Sequence, residues 1–177
     1  MLMLEWLLIL NDRSKIAVYC SDVAGAFDRV SAELLIAKLK MHGLHPRFIG
    51  LLSSWLEART ACVLVGGSKS EYYKIFNQVF QGTVLGPILW DIFFEDVDVP
   101  IRNSGYKEVT FADDLNSYRR FESTVSNKII MRKSVKCQSE VHKWGRAKQI
   151  TFEPSKESMS VISNHDPAGP DFKLMGI

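Results

Sequence analysis

The sequence predicts a single α+β domain spanning residues 1–177, and three observations predict it. β-rich segments alternate with amphipathic helical ones along the chain. Hydrophobic residues make up 46% of 177, enough for one core of ordinary size. No repeat, low-complexity tract or linker divides the chain.

The elements follow from the residues in order. Met1 to Leu10 is apolar except for Glu5 and has no basic flank. At about half the length needed to cross a bilayer, it predicts a core helix rather than a signal peptide or membrane span. Its abrupt apolar start leads us to expect preceding sequence. Lys15 to Ser21 predicts a strand, with Ile16, Val18, Cys20 and Asp22 on one side at period two. Ser31 caps a helix carrying Leu34, Leu35, Leu39 and Met41, which Gly43 ends. Pro46 opens another, with Phe48, Leu51, Leu52, Trp55 and Leu56 at helical spacing.

Thr60 to Val65 and Tyr72 to Val79 predict a hairpin around Gly66-Gly67-Ser68-Lys69-Ser70. Val84 to Val97 predicts a buried helix stopped by Pro100. A second hairpin joins Tyr106–Ala112 to Leu115–Phe121, with Asp113-Asp114 at its tip. Thr124 to Lys148 predicts a long basic helix. Strands at Met159 to Ser163 and Phe172 to Ile177 flank the loop Asn164 to Pro170.

Charge is nearly balanced, with 22 basic and 20 acidic residues, so net charge alone identifies no polyanion binder. Its distribution is uneven. Ten basic residues from Arg119 to Lys156 face only Glu122, Glu140 and Glu153 in between, a stretch suited either to phosphates or to a solvated helix face. Cys20, Cys62 and Cys137 form no CxxC pair, which implies a reduced, intracellular protein, in nucleus or cytoplasm. His42, His45, His142 and His165 have no zinc-site spacing, and no phosphate loop or nucleophile elbow occurs.

Asp113-Asp114 is the sharpest chemical feature. Adjacent carboxylates at a tight turn repel by about 4 kcal/mol at 4 Å and an effective dielectric near 20, unless a cation lies between them. Asp22, ending a strand far earlier in the chain, supplies a third. Three carboxylates on neighbouring strands would hold two Mg²⁺ ions about 4 Å apart, as in-line phosphoryl transfer requires.

Three segments resemble reverse transcriptases of the non-LTR (LINE-like) retrotransposon type. Asp22-Val23-Ala24-Gly25-Ala26-Phe27-Asp28-Arg29-Val30 is similar to their motif A, Gln81-Gly82-Thr83-Val84-Leu85-Gly86-Pro87 to motif B, and Phe111-Ala112-Asp113-Asp114 to motif C. Lys156 stands where motif D places its lysine, and Phe172-Lys173-Leu174-Met175-Gly176-Ile177 resembles the start of the primer grip. The resemblance implies a polymerase palm, an antiparallel sheet with helices packed on one face, with partial fingers and no thumb. It implies RNA-directed DNA synthesis: transfer of a deoxynucleotidyl group from a dNTP to the 3′-hydroxyl of a DNA primer on an RNA template. It implies two Mg²⁺ ions, or Mn²⁺, as cofactors.

The same resemblance assigns roles. Asp22 and Asp113 would ligate metal directly, Asp114 in support, and Val23 belongs to the metal set. Phe27 would exclude a ribonucleotide's 2′-hydroxyl, Gln81 and Gly82 would contact the incoming nucleotide and template, and Lys156 would protonate pyrophosphate. Asp28 reads as structural. Departures are Phe80 where the family has Pro, and Glu153 and Glu157 where it has Asn and Thr around the lysine; both acids would raise the Lys156 pKa and repel triphosphate. Two alternatives stay open. One is an RNA-dependent RNA polymerase, although Ala112 and Phe27 differ from the Gly and the smaller polar gate of viral examples. The other is an inactive retroelement remnant with weak nucleic-acid binding, since fingers and thumb are expected to be missing.

Overall fold

The computed structural model describes residues 2–57 and 59–164. In chain order the elements are α1 (Leu2–Asn11), β1 (Lys15–Asp22), a 3₁₀ turn (Ala26–Arg29), α2 (Ala32–Met41), α3 (Pro46–Leu56) and four short strands, β2 (Arg59–Ala61), β3 (Leu64–Val65), β4 (Ser68–Lys69) and β5 (Tyr73–Ile75). There follow α4 (Gly86–Phe94), a second 3₁₀ turn (Glu95–Val97), α5 (Asp98–Asn103), β6 (Lys107–Phe111), β7 (Asp114–Phe121), α6 (Asn127–Lys148) and β8 (Ser158–Ile162). The strand expected at 172–177, and the loop from His165 on, lie outside the described residues. Two compact units result: one from the segments up to Ala24 and from Asp96 onward, the other Gly25–Glu95.

The first unit is built on an antiparallel sheet of order β6-β7-β1-β8. β1 is buried on both faces, with Ile16, Ala17 and Tyr19 fully enclosed, because each face carries a helix. Ile9, Trp6 and Leu10 of α1 pack on Ile16, Val18 and Tyr118 on one face. On the other, α6 brings Gln138 and His142 to Glu157, which also accepts from the Tyr19 hydroxyl. Helices on one face only were expected; α5 and α6 share one face, but α1 covers part of the other, where Ile16 and Val18 need apolar cover. Pro100 does not end the helical region as expected. It lies in the first turn of α5, where its missing N–H removes no helical hydrogen bond.

The second unit packs α2 against α3 and α4, burying Leu35, Leu39, Leu52, Leu56, Leu89 and Phe93. Ser31 caps α2 as expected, accepting from Leu34 N at 3.4 Å, and Gly43 follows the helix at φ +74°. Lys38 is buried, and its Nζ donates to the Phe93 and Ile92 carbonyls at 2.7 and 3.2 Å, satisfying the C-terminal end of α4. The expected hairpin is two nested pairs, β2–β5 and β3–β4, the inner one closed by Gly66-Gly67, both at positive φ.

Candidate active site

The register of β1 and β7 sets Asp22 directly opposite Asp114. Paired residues of antiparallel strands point to the same face, so both carboxylates share the side of Ile16, Val18 and Cys20, the side on which the period-two spacing placed Asp22. β6 and β7 meet through a two-residue turn, Ala112-Asp113, closed by the Phe111–Asp114 pair. Ala112 takes φ +55° there, a conformation that favours glycine. Asp22, Asp113 and Asp114 therefore gather at one end of two neighbouring strands; the first two are half-buried and Asp114 is exposed.

β1 is extended past Asp22 by a second partner. Val23 bridges Phe152, Ala24 N donates to Thr151 O at 2.9 Å, and Glu153 N donates to Asp22 O at 2.9 Å. The chain then turns through 154–156 and delivers Lys156 Nζ to Asp22 Oδ2 at 2.5 Å. Hydrogen bonding to Asp22 and its charge raise the Lys156 pKa above the usual lysine value, with Asp113 and Glu153 adding to the shift. Val23 is buried and apolar, so its backbone carbonyl is the only oxygen it offers a cation.

Glu157 has a different place from the one expected. It points away from Lys156 into the layer between sheet and α6, buried, and accepts from Tyr19 Oη (2.6 Å), Ser21 Oγ (3.2 Å), Gln138 Nε2 (2.9 Å) and His142 Nε2 (2.7 Å). Lys156 closes the turn at 154–156 and Glu157 leads from it into β8, so the two neighbours serve opposite faces of the sheet. Asp22 replaces it as the chief acid acting on Lys156.

Carboxylate oxygens are the hard donors that Mg²⁺ and Mn²⁺ take, so the donor set fits in kind. Among the described residues no three His, Cys, Asp or Glu side chains already form a chelating cluster. The Lys156 ammonium pairs with Asp22, within electrostatic reach of Asp113. A cleft of about 660 Å³, lined by Glu5, Leu8, Lys107, Tyr118 and Arg120 among others, lies between α1 and the β6–β7 pair and includes none of the three carboxylates.

The remaining expected site residues belong to the second unit. Phe27 is half-buried, its ring centroid 5.8 Å from that of Trp90. Gln81 and Gly82 are exposed, Gly82 at φ +84°. Gly86 is required by close approach: a Cβ there would lie 2.9 Å from the Phe80 carbonyl oxygen and 3.1 Å from Thr83 Oγ1. Asp28 accepts from Gln78 Nε2 at 2.6 Å, in keeping with a structural role.

Of the basic stretch, only Lys156 reaches the carboxylates. Arg119 donates to the Ser104 carbonyl and lies over the Phe121 ring, Arg120 pairs with Asp12, and Lys148 pairs with Asp96. Sequence reasoning missed Gly145 and the Glu157 anchor. A Cβ at Gly145 would lie 2.8 Å from Phe152 Cε2, so its absence lets α6 approach the strand extension beside Asp22. A glycine within a helical pattern was the available signal.

Comparison with known proteins bears on the whole arrangement. A profile of the family "Reverse transcriptase (RNA-dependent DNA polymerase)" matches residues 7–176. The RNA-directed DNA polymerase from mobile element jockey of Drosophila melanogaster is 38% identical over 98 residues, 52% of this chain and 11% of that protein. The probable RNA-directed DNA polymerase from transposon X-element of the same fly is 37% identical over 103 residues, 55% of this chain and 11% of that protein. Its counterpart from transposon BS is 40% identical over 86 residues, 46% of this chain and 9% of that protein. The matched stretch thus spans about a tenth of each relative. A telomerase from Candida tropicalis, solved in complex with a TWJ fragment of telomeric RNA, superposes with a TM-score of 0.60 at 16% identity, over 94% of this chain and 29% of that one. The likeness to telomerase is one of fold. No helix among the described residues is long and apolar enough to cross a membrane. Mixed α+β structure with an antiparallel sheet, and sequence kinship along nearly the whole chain, lead to one conclusion: the chain belongs to the reverse transcriptase (RNA-dependent DNA polymerase) family, akin to the enzymes of non-LTR retrotransposons.

Proposed function

We propose that residues 1–177 form one reverse transcriptase domain, with the β6-β7-β1-β8 sheet as its palm and part of Gly25–Glu95 as fingers. It would transfer deoxynucleotidyl groups from dNTPs to the 3′-hydroxyl of a DNA primer on an RNA template. The observation that carries this reading is the strand register, which sets Asp22 opposite Asp114 with Asp113 at the adjoining turn. Asp22, the Val23 carbonyl, Asp113 and Asp114 would hold two Mg²⁺ or Mn²⁺ ions. When bound, these supply charge neutralisation for the triphosphate and lower the pKa of the attacking hydroxyl.

The chain's own residues supply the rest. Lys156, kept protonated by Asp22, is in the right state to donate a proton to departing pyrophosphate, and must leave Asp22 for that oxygen to become a ligand. Phe27, propped by Trp90, would close the space that a 2′-hydroxyl needs. Gln81 can donate and accept hydrogen bonds toward nucleotide and template, and Gly82 permits close backbone approach.

The test is extension of primed poly(rA) with dTTP and Mg²⁺ by a chimera carrying residues 7–176 in place of the matching segment of a jockey-type polymerase. Asp22→Asn and Asp113→Asn should each abolish incorporation. Near-normal extension by either variant would remove the site assignment. Phe27→Ala should admit ribonucleotides; unchanged exclusion would remove the gate.

A further inference from the structure

We propose that the outward face of α6 is a second nucleic-acid surface, holding a phosphodiester backbone on the side of the sheet opposite the carboxylates. Lys128, Arg132, Lys136, Lys143 and Arg146 are all exposed. At 100° per residue they fall within about 80° of arc, and from first to last they run about 27 Å along the helix. That arc is diametrically opposite the buried residues Ile130, Ser134, Cys137, Val141 and Gly145. Since α6 covers the Tyr19 face while Asp22 and Asp114 share the Val18 face, the stripe is turned away from the acids.

A merely solvated helix face mixes signs, because i,i+4 pairs of opposite charge stabilise it. Here Lys128–Arg132 and Arg132–Lys136 are like-charged i,i+4 neighbours, and none of the five forms an ion pair among the described residues. Glu140, the helix's one acid, is half-buried beside the arc. Lys128 also stands in the first turn, where the helix dipole disfavours a cation and no acid is present. The N-terminal half of the stripe, Lys128 to Lys136, thus works against helix stability, whereas Arg146 in the last turn suits the dipole; a line of phosphates relieves both costs of that half at once. RNA and DNA share that backbone, and it is the run of strand outside the reaction cleft that would lie here.

The test uses the full 177-residue chain, with fluorescence anisotropy of labelled oligo(U) of about 20 nucleotides, its deoxy counterpart and a mixed-sequence duplex of similar length, titrated across KCl concentration. Replacing all five residues by Gln keeps helix propensity, which circular dichroism checks. Affinity for single strands should fall at least about tenfold, and the slope of log K against log salt should flatten by about 3.5, at roughly 0.7 for each phosphate no longer neutralised. RNA and DNA falling together identifies the backbone as ligand; loss confined to RNA identifies the 2′-hydroxyl as part of it. An unchanged slope overturns the proposal, as does equal binding of poly-Glu or of phosphatidylserine vesicles by the unaltered chain. Should the five-fold variant not fold, amine labelling of the unaltered chain decides: oligo(U) must protect Lys128, Lys136 and Lys143, and unprotected lysines overturn it. Extension by the Asp22→Asn chimera is a separate readout, so failure here and failure of the polymerase reading are distinguishable.

Discussion

The Glu157 carboxylate accepts from Tyr19 and Ser21 of β1 and from Gln138 and His142 of α6, so one side chain ties strand and helix directly behind Asp22. Burial alone would raise its pKa, but the hydrogen bonds from His142, Tyr19 and Gln138 outweigh it and hold the group below its usual value of 4.5. A carboxyl whose folded pKa lies below its unfolded one lends stability above the unfolded value and loses it as pH falls through the folded one. The urea midpoint should therefore drop as pH falls below about 4.5 by more in the wild type than in Glu157→Gln. Glu157→Ala leaves buried donors unpaired and should cost about 3 kcal/mol or more at neutral pH. Parallel pH profiles for wild type and Glu157→Gln would show that this carboxylate does not control the acid limb. At this scale the chain was partly legible: Asp22, Asp113 and Asp114 could be found by spacing, whereas the opposite facing of Lys156 and Glu157 depends on a bend at 154–156 that spacing does not reveal.

At the scale of elements, α6 and the 151–153 extension are joined by a missing side chain. Gly145 leaves room for Phe152, whose backbone bridges Val23 and so fixes the end of β1 where Asp22 stands. Gly145→Ala gains about 1 kcal/mol of helix propensity but must displace an aromatic ring and a carbonyl. We expect a net loss of about 1–2 kcal/mol, seen as a fall of a few degrees in Tm. An unchanged or raised Tm would mean that Phe152 yields without cost. Periodicity and turn residues located most elements, since α2, α3 and α6 each bury one consistent face and short turns set off β1 and the β6–β7 hairpin. It failed at Pro100, where a proline in a helix's first turn resembles a stop signal in sequence.

At the scale of the whole molecule, the first unit closes only when β1 pairs with β7 and β8, and Ile16 finds Ile162 far along the chain. The second unit is one continuous segment, Gly25–Glu95. Loop-closure entropy makes long-range strand pairing slow, so the second unit should gain its core first. Stopped-flow refolding with Trp90 as sole tryptophan should report a faster phase than with Trp6, which packs on the first unit's sheet. Coincident phases would refute this order. The amino acids alone determined the family, the α+β class and the three carboxylates, because short-range patterns and motif residues survive in one dimension. Only the tertiary structure decided that Glu157 is an anchor, that Lys156 rests on Asp22, and that the basic stripe of α6 faces away from the acids. Those facts depend on which face of a sheet each segment meets, and facing is fixed by strand register and long-range packing, which local sequence does not encode.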